Sequence, residues 1–550
     1  MRIFGALLVF IFVSPLFPLS FADPAGTEKD SVEELAAALA GAMSDEEALA
    51  QTFMLGWVGA EPSPLIMEWI RGRKIGGVKI FGWNTGNTRL LAGTVGKLQE
   101  SSLSSPLGIP LLVATDQEGG LVRHVKGATS ETPGNMAIGA SGYPRDAYLS
   151  GYYIGKELAA LGINMNFAPA VDLYTNRDSV LIGPRAFGND PVKTGILGAA
   201  FMKGQQAAGI IPTAKHYPGH GGTDLDSHGV LPRIDLGIDV LWERELVPYR
   251  ILAREGLPAV MSGHLAFPQT PSASLPASLS PYFLGDILRG RIGYKGIVIT
   301  DDLMMNGAVT HAGSLSRAAK QALLAGNDII LFSQTPGLFD PVWTYLARSM
   351  NEEPLFRERV RDAARRIIAV KLAFLRGPAA VPYVPDLAEL DGAFSNPDAE
   401  AFFLDLAVRS VTVLKDRAKG ESVFPLTPEK AGRVLLAGQY GDFFRAGKAA
   451  YPDAVSLRYP VSQAELVSYG KNADTIIFCL SGEAGQRLLG SLEPLKKTVI
   501  VLSALSPVYL ESAPWVDGAV AVYSYAPGSF AAGFSAILGR VPAAGKLPYE

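Results

Sequence analysis

Eight short apolar runs recur along the first part of the chain, at 53–58, 77–81, 111–115, 163–168, 211–215, 259–264, 296–300 and 328–332. Stretches long enough for helices separate them, for example 147–161, 194–208 and 315–325. Short runs rich in β-branched residues suit buried strands, and parallel neighbours need a crossover of about a dozen residues. Eight strand–helix units in this length point to an α/β fold of the (β/α)8 TIM-like barrel type, although the count alone also fits an open doubly wound sheet.

At 550 residues the chain exceeds the size at which one core stops growing, roughly 250 to 300 residues, so a second domain is expected. A helix ending near Leu375 gives way to 376–390, where Gly377, Pro378, Pro382 and Pro385 interrupt regular structure. That segment reads as a linker between a barrel over 23–375 and a second domain over 391–550. In the latter, short β-branched runs at 410–414, 434–437, 475–480, 498–502 and 519–523 alternate with helical stretches, the pattern of a smaller α/β sheet. Ser31 with Glu34 and Ser44 with Glu47 are capping-box patterns expected to open helices before the first strand.

Composition removes several functions. With 49 Lys and Arg against 53 Asp and Glu, the net charge of -4 supplies no positive field to hold nucleic acid. Cys479 is the single cysteine, which excludes an intramolecular disulfide framework and multi-thiolate metal sites. Residues 1–22 have the order of an export signal: Arg2, an apolar run from Ile3 to Leu19, then Ser20-Phe21-Ala22 as a small-residue cleavage site. Pro15 and Pro18 favour cleavage over an uncleaved anchor. The expectation is an exported chain, periplasmic or extracellular, without stable membrane insertion.

Polar residues gather where the apolar runs end, and in a barrel those C-terminal strand ends form the mouth where active sites lie. The third run ends in Asp116-Gln117-Glu118-Gly119-Gly120, the fifth in Lys215-His216, the sixth in His264 and the seventh in Asp301-Asp302. The densest stretch, 215–228, holds His216, His220 and His228. His216 and His220 have the spacing of a helical metal pair, but Pro218, Gly219, Gly221 and Gly222 argue against a helix, which leaves a loop-built metal site as the lesser alternative and no metal as the expectation. The Asp226-x-His228 pair fits a proton donor instead, because an aspartate beside an imidazole fixes its tautomer and raises its basicity.

KHYPGHGGTDLDSHGVLP, with DQEGG and IGPRAFGNDP before it and ITDDLMM after it, resembles glycoside hydrolase family 3, and within it the β-N-acetylglucosaminidases. AVRSVTVLKD and the closing GKLP resemble the second domain of two-domain members. The resemblance implies a barrel followed by an αβα sandwich. It implies Asp301 as the nucleophile of a retaining double displacement and His228, oriented by Asp226, as the acid/base. Asp116, Arg185, Lys215 and His216 would hold the sugar. The partner implied is a carbohydrate with a terminal N-acetylglucosamine, from cell-wall muropeptides or chitin-derived sugars, and no cofactor is required. A phosphorylase using phosphate as acceptor and a silent sugar-binding protein are the alternatives. One departure concerns the residues after DQEGG, where Leu121-Val122-Arg123-His124 shifts the basic residue by one and leaves Arg123 or His124 to serve.

Overall fold

The computed structural model describes residues 24–224, 231–338, 340–394, 396–417 and 420–549. The leader assigned to 1–22 and the pair Asp226 and His228 lie outside these residues. All eight expected strands form: β1 (Phe53–Gly56), β2 (Gly77–Lys79), β3 (Leu112–Thr115), β4 (Met165–Asn166), β5 (Ile211–Tyr217), β6 (Ala259–Ser262), β7 (Ile297–Asp302) and β8 (Ile329–Phe332). They close into a barrel in chain order, every neighbouring pair parallel, with β8 returning to β1 through Ile330 opposite Phe53. The open doubly wound sheet is thereby excluded.

Closure follows from the alternation of side chains. Met54, Leu112, Ala114, Met165, Ile211, Ala259, Met261, Ile297, Ile299, Ile329 and Leu331 meet inside the barrel. Their strand neighbours, such as Phe53, Val113, Val260, Val298 and Ile330, pack outward against the helices. Both faces are buried, so the strands read as continuous apolar runs. β4 is the shortest, and side-chain amides supplement its ladder. Asn164 accepts from the Val113 N–H and donates to the Leu111 carbonyl, while Asn166 does the same for the N–H and carbonyl of Gln117.

The capping box at Ser44 and Glu47 forms as expected and starts the helix Asp45–Gln51. Ser31 does not open a helix: it lies inside Pro24–Ala42, which starts at a proline that tolerates the first helical turn. Among the described residues, no helix is long and apolar enough to cross a membrane.

Beyond the last barrel helix, Pro354–Phe374, the second sheet comprises β9 (Thr412–Asp416), β10 (Val434–Gly438), β11 (Val455–Arg458), β12 (Thr475–Leu480), β13 (Thr498–Ser503) and β14 (Gly518–Ala521). Their order is β9-β14-β13-β12-β10-β11, with β9 antiparallel and the other pairs parallel. One face, with Leu436, Ile477 and Leu502, packs under Phe443, Phe530 and Phe534; the other, with Ile476, Phe478 and Val501, packs under Leu466 and Leu489. This is the αβα sandwich. Edge strand β11 is absent from the expected runs because three of its four residues are exposed.

The two domains meet at the loops that follow β3 and β4. Tyr549 packs edge-on against Tyr174, with ring centres 4.9 Å apart, and the Tyr174 hydroxyl lies 3.2 Å from Ser506 Oγ. The Pro548 carbonyl accepts from the Asn189 N–H at 3.3 Å, and the Ala140 carbonyl accepts from the Lys546 N–H at 3.0 Å.

Candidate active site

The chain leaves β3 at Asp116 and turns back at once in a small antiparallel hairpin, Gln117–Gly119 against Val122–Arg123. Gly119 and Gly120 carry φ of +90° and +59°, and a Cβ on Gly120 would stand 2.9 Å from Gly134 Cα, so this turn requires glycine. The hairpin holds Glu118 beside Asp116 over the barrel.

Three cations from three elements converge on these two acids. Asp116 receives Lys215 of β5 at 2.5 Å and Lys79 of β2 at 2.6 Å. Glu118 receives Lys215 at 2.7 Å and a two-pronged contact from Arg185, Nε at 2.9 Å and Nη2 at 2.7 Å. The side chains of Lys79, Lys215 and Glu118 are 1%, 2% and 1% exposed, so their charges persist only because they are paired. Burial pushes both acids up, and the cations outweigh it: Lys215 and Lys79 hold Asp116 well below the carboxylate range, while Arg185 and Lys215 bring Glu118 to about 2. The result is a rigid row of ionised groups able to grip hydroxyls in defined directions.

His216 follows Lys215 across a cis peptide bond. Its Nδ1–H donates to Asp172 at 2.7 Å, and Asp172 also accepts from the backbone N–H groups of His216 and His220. The His216 Nε2 lies 3.4 Å from Arg185, which joins this imidazole to the charged row. His216 binds Asp172 through Nδ1, the His220 ring packs edge-on against it at 5.7 Å, and burial beside His216 lowers His220 to about 4. No group of three potential ligands occurs among the described residues.

Asp301 sits at the end of β7 and is half-buried at the mouth. Burial raises its carboxyl, but the His216 and His264 imidazoles and the Asp302 N–H, which donates to Asp301 Oδ1 at 2.8 Å, hold it below the ordinary aspartate range. Its neighbour behaves oppositely: burial pushes Asp302 up, and one of its oxygens is engaged by the Ser333 and Met304 N–H groups. The structure thus distinguishes an ionised acid facing the site from a bonded acid bracing β8. His264 lies against both, with Nε2 3.1 Å from the Asp302 carbonyl and Nδ1 2.7 Å from Ser278 Oγ. A carbonyl only accepts, so Nε2 carries the proton.

All of Asp116, Arg185, Lys215, His216 and Asp301 come together at this mouth, while Asp226 and His228 lie outside the described residues. The displaced basic residue is resolved by contacts. Arg123 turns away to Thr129, Ser130 and Glu131, whereas His124 Nδ1 stands 3.6 Å from Asp116 and 3.3 Å from Lys79 Nζ. Burial and Lys79 lower His124 to about 4, so it faces the site uncharged at neutral pH. Sequence reasoning overlooked Lys79, Asp172 and the direct role of Glu118. Lys79 carried the same signal as Lys215, a cation within an apolar strand that ends at the mouth.

A family model, described as the glycosyl hydrolase family 3 N terminal domain, matches residues 46–370. The β-hexosaminidase A of Pseudoalteromonas piscicida is 32% identical over 386 residues, 66% of this chain and 62% of that protein, so the chain spans less than two thirds of that relative. A β-N-acetylglucosaminidase/β-glucosidase of Cellulomonas fimi is 30% identical over 72% of this chain and 68% of its own. Among solved structures, a family 3 β-N-acetylglucosaminidase from Paenibacillus sp. str. FPU-7 superposes with a TM-score of 0.83 at 28% identity, covering 92% of this chain and 99% of that one.

Proposed function

The chain belongs to glycosyl hydrolase family 3, and from that premise we propose that it is a retaining, exo-acting β-N-acetylglucosaminidase. The observation that carries the reading is Asp301, kept ionised on a rigid strand end and facing the paired Asp116, Lys215, Glu118 and Arg185 across the mouth. A carboxylate so held can attack the anomeric carbon, displacing the leaving oxygen and forming a glycosyl ester. His228, oriented by Asp226, protonates that oxygen and then takes a proton from the water that cleaves the ester. Configuration is retained because the carbon is inverted twice. The charged row and His216 hold the hydroxyls and acetamido group of the terminal sugar.

Preference for an N-acetylglucosaminide rests on the Asp226-x-His228 pair and on the names of the relatives. Action on muropeptides or chitin-derived sugars outside the cytoplasm rests on the export signal read in 1–22.

The test is hydrolysis of an aryl N-acetylglucosaminide, an aryl glucoside and purified muropeptides, with and without phosphate. Wild type is expected to favour the glucosaminides and to release free sugar. Asp301→Ala is expected to lose about 10⁴-fold or more in kcat while remaining folded. A mechanism-based fluorosugar should label Asp301; labelling of Asp302, or turnover of glucosides alone, would overturn the reading.

A further inference from the structure

One part of the mouth is apolar and open. Beyond β2, Trp83 is 50% exposed, yet its ring is fixed on two sides. Its Nε1–H donates to the Trp57 carbonyl at 2.8 Å, and one face lies flat on Phe81, with ring centres 4.5 Å apart and planes 10° from parallel. Half of the residue's surface remains open to solvent. Phe81 connects this platform to the charged row, for Lys79 Nζ stands 4.2 Å from the Phe81 ring centre and the His124 ring 5.9 Å away.

Further apolar side chains are exposed on the rim. Val58, just past β1, is 71% exposed, and Met304, three residues after Asp301, is 40% exposed. Asn84 ties the β2 loop to the β1 loop through the carbonyls of Trp57 and Gly59, and Ser333 beyond β8 donates to Met304 Sδ at 3.5 Å. Exposed apolar side chains thus follow the strand of Asp301, β1 and the strand of Lys79 on the barrel rim. Isolated exposed apolar residues need no explanation, but a half-exposed indole held by a hydrogen bond and a ring stack at a barrel mouth does.

We infer that Trp83 forms the aglycone subsite and selects a second pyranose ring stacked on its exposed indole surface. The inference rests on the glycosidase reading above and adds what the leaving group must be. A pyranose presents a face of axial C–H groups that packs on an aromatic ring, and a prefixed indole loses little freedom in accepting it. A leaving group without a ring has nothing to stack.

The experiment compares kcat/KM for a β-1,4-linked N-acetylglucosamine disaccharide with that for the methyl β-N-acetylglucosaminide, in wild type, Trp83→Ala and Trp83→Phe. Trp83→Ala is expected to lower the disaccharide value about ten-fold more than the methyl glycoside value. Trp83→Phe should restore most of that difference. Equal losses on both substrates, or no loss on the disaccharide, would overturn the assignment. The glycosidase reading is scored separately, by whether wild type turns over the methyl glucosaminide. If it cleaves only glucosides, the same disaccharide-to-methyl ratio measured on the glucoside series still decides the role of Trp83.

Discussion

Glu157 is a buried acid that the site does not use. It lies on the helix Pro144–Ala160 and accepts from the Ser130 N–H at 3.0 Å and its hydroxyl at 2.5 Å. Burial outweighs these bonds and the charge of Arg123, pushing Glu157 from 4.5 up to about 7. The folded chain therefore keeps a proton that the unfolded chain releases above 4.5. The stability this contributes is complete below that pH and is lost as pH rises through 7. The shift corresponds to about 3 kcal/mol. In urea denaturation across pH 4.5 to 8, wild type should lose stability relative to Glu157→Gln by up to that amount; parallel curves would show that Glu157 titrates normally. Single residues were unevenly legible in the sequence. Lys215 stood out because a histidine followed it at a strand end, whereas Lys79 passed as an interruption in an apolar run. Asp172 lies six residues beyond β4, and only the folded chain brings it to His216.

Elements were easier to read than the turns between them. Strands buried on both faces announce themselves as apolar runs, which is why β1 to β8 were visible, while the exposed edge strand β11 carries no such mark. The hairpin after Asp116 was hidden in DQEGG, whose two glycines serve a tight turn rather than flexibility. The turn after β5 makes a similar demand. A Cβ on Gly221 would stand 1.5 Å from the Leu173 carbonyl, directly after Asp172. Gly221→Ala must push back the segment that braces His216. It is expected to cost about 1 to 3 kcal/mol in stability and up to about 10²-fold in kcat/KM, since small misplacements at a reacting centre are costly. Gly86→Ala, where a Cβ meets nothing within 4 Å, is the control, and thermal midpoints with kinetics on both variants are the check.

At the scale of the whole molecule, the second domain grips the two loops that bring Glu118 and Arg185 to the charged row. Tyr549 and Ser506 hold Tyr174, between Asp172 and Arg185, while the Tyr525 hydroxyl lies 3.4 Å from the Gly120 carbonyl beside Glu118. Tyr549→Ala removes an aromatic contact worth about 0.5 to 1.5 kcal/mol. It should raise KM about 2- to 10-fold with a smaller change in kcat, measured by steady-state kinetics; a fall in kcat alone would mean that the grip does not act on sugar binding. Fold class could be read from the sequence, but this grip could not, because it joins residues far apart in the chain. That separation has a consequence in time. The barrel strands are complete at Phe332, whereas the partners that steady the loops of Asp172 and Arg185 emerge with Ser506 and Tyr549. At ribosomal speeds the interval is on the order of tens of seconds. During it Asp301 already has its strand while the loops of Asp172 and Arg185 still await their supports, so the barrel mouth is finished from the far end of the chain backwards.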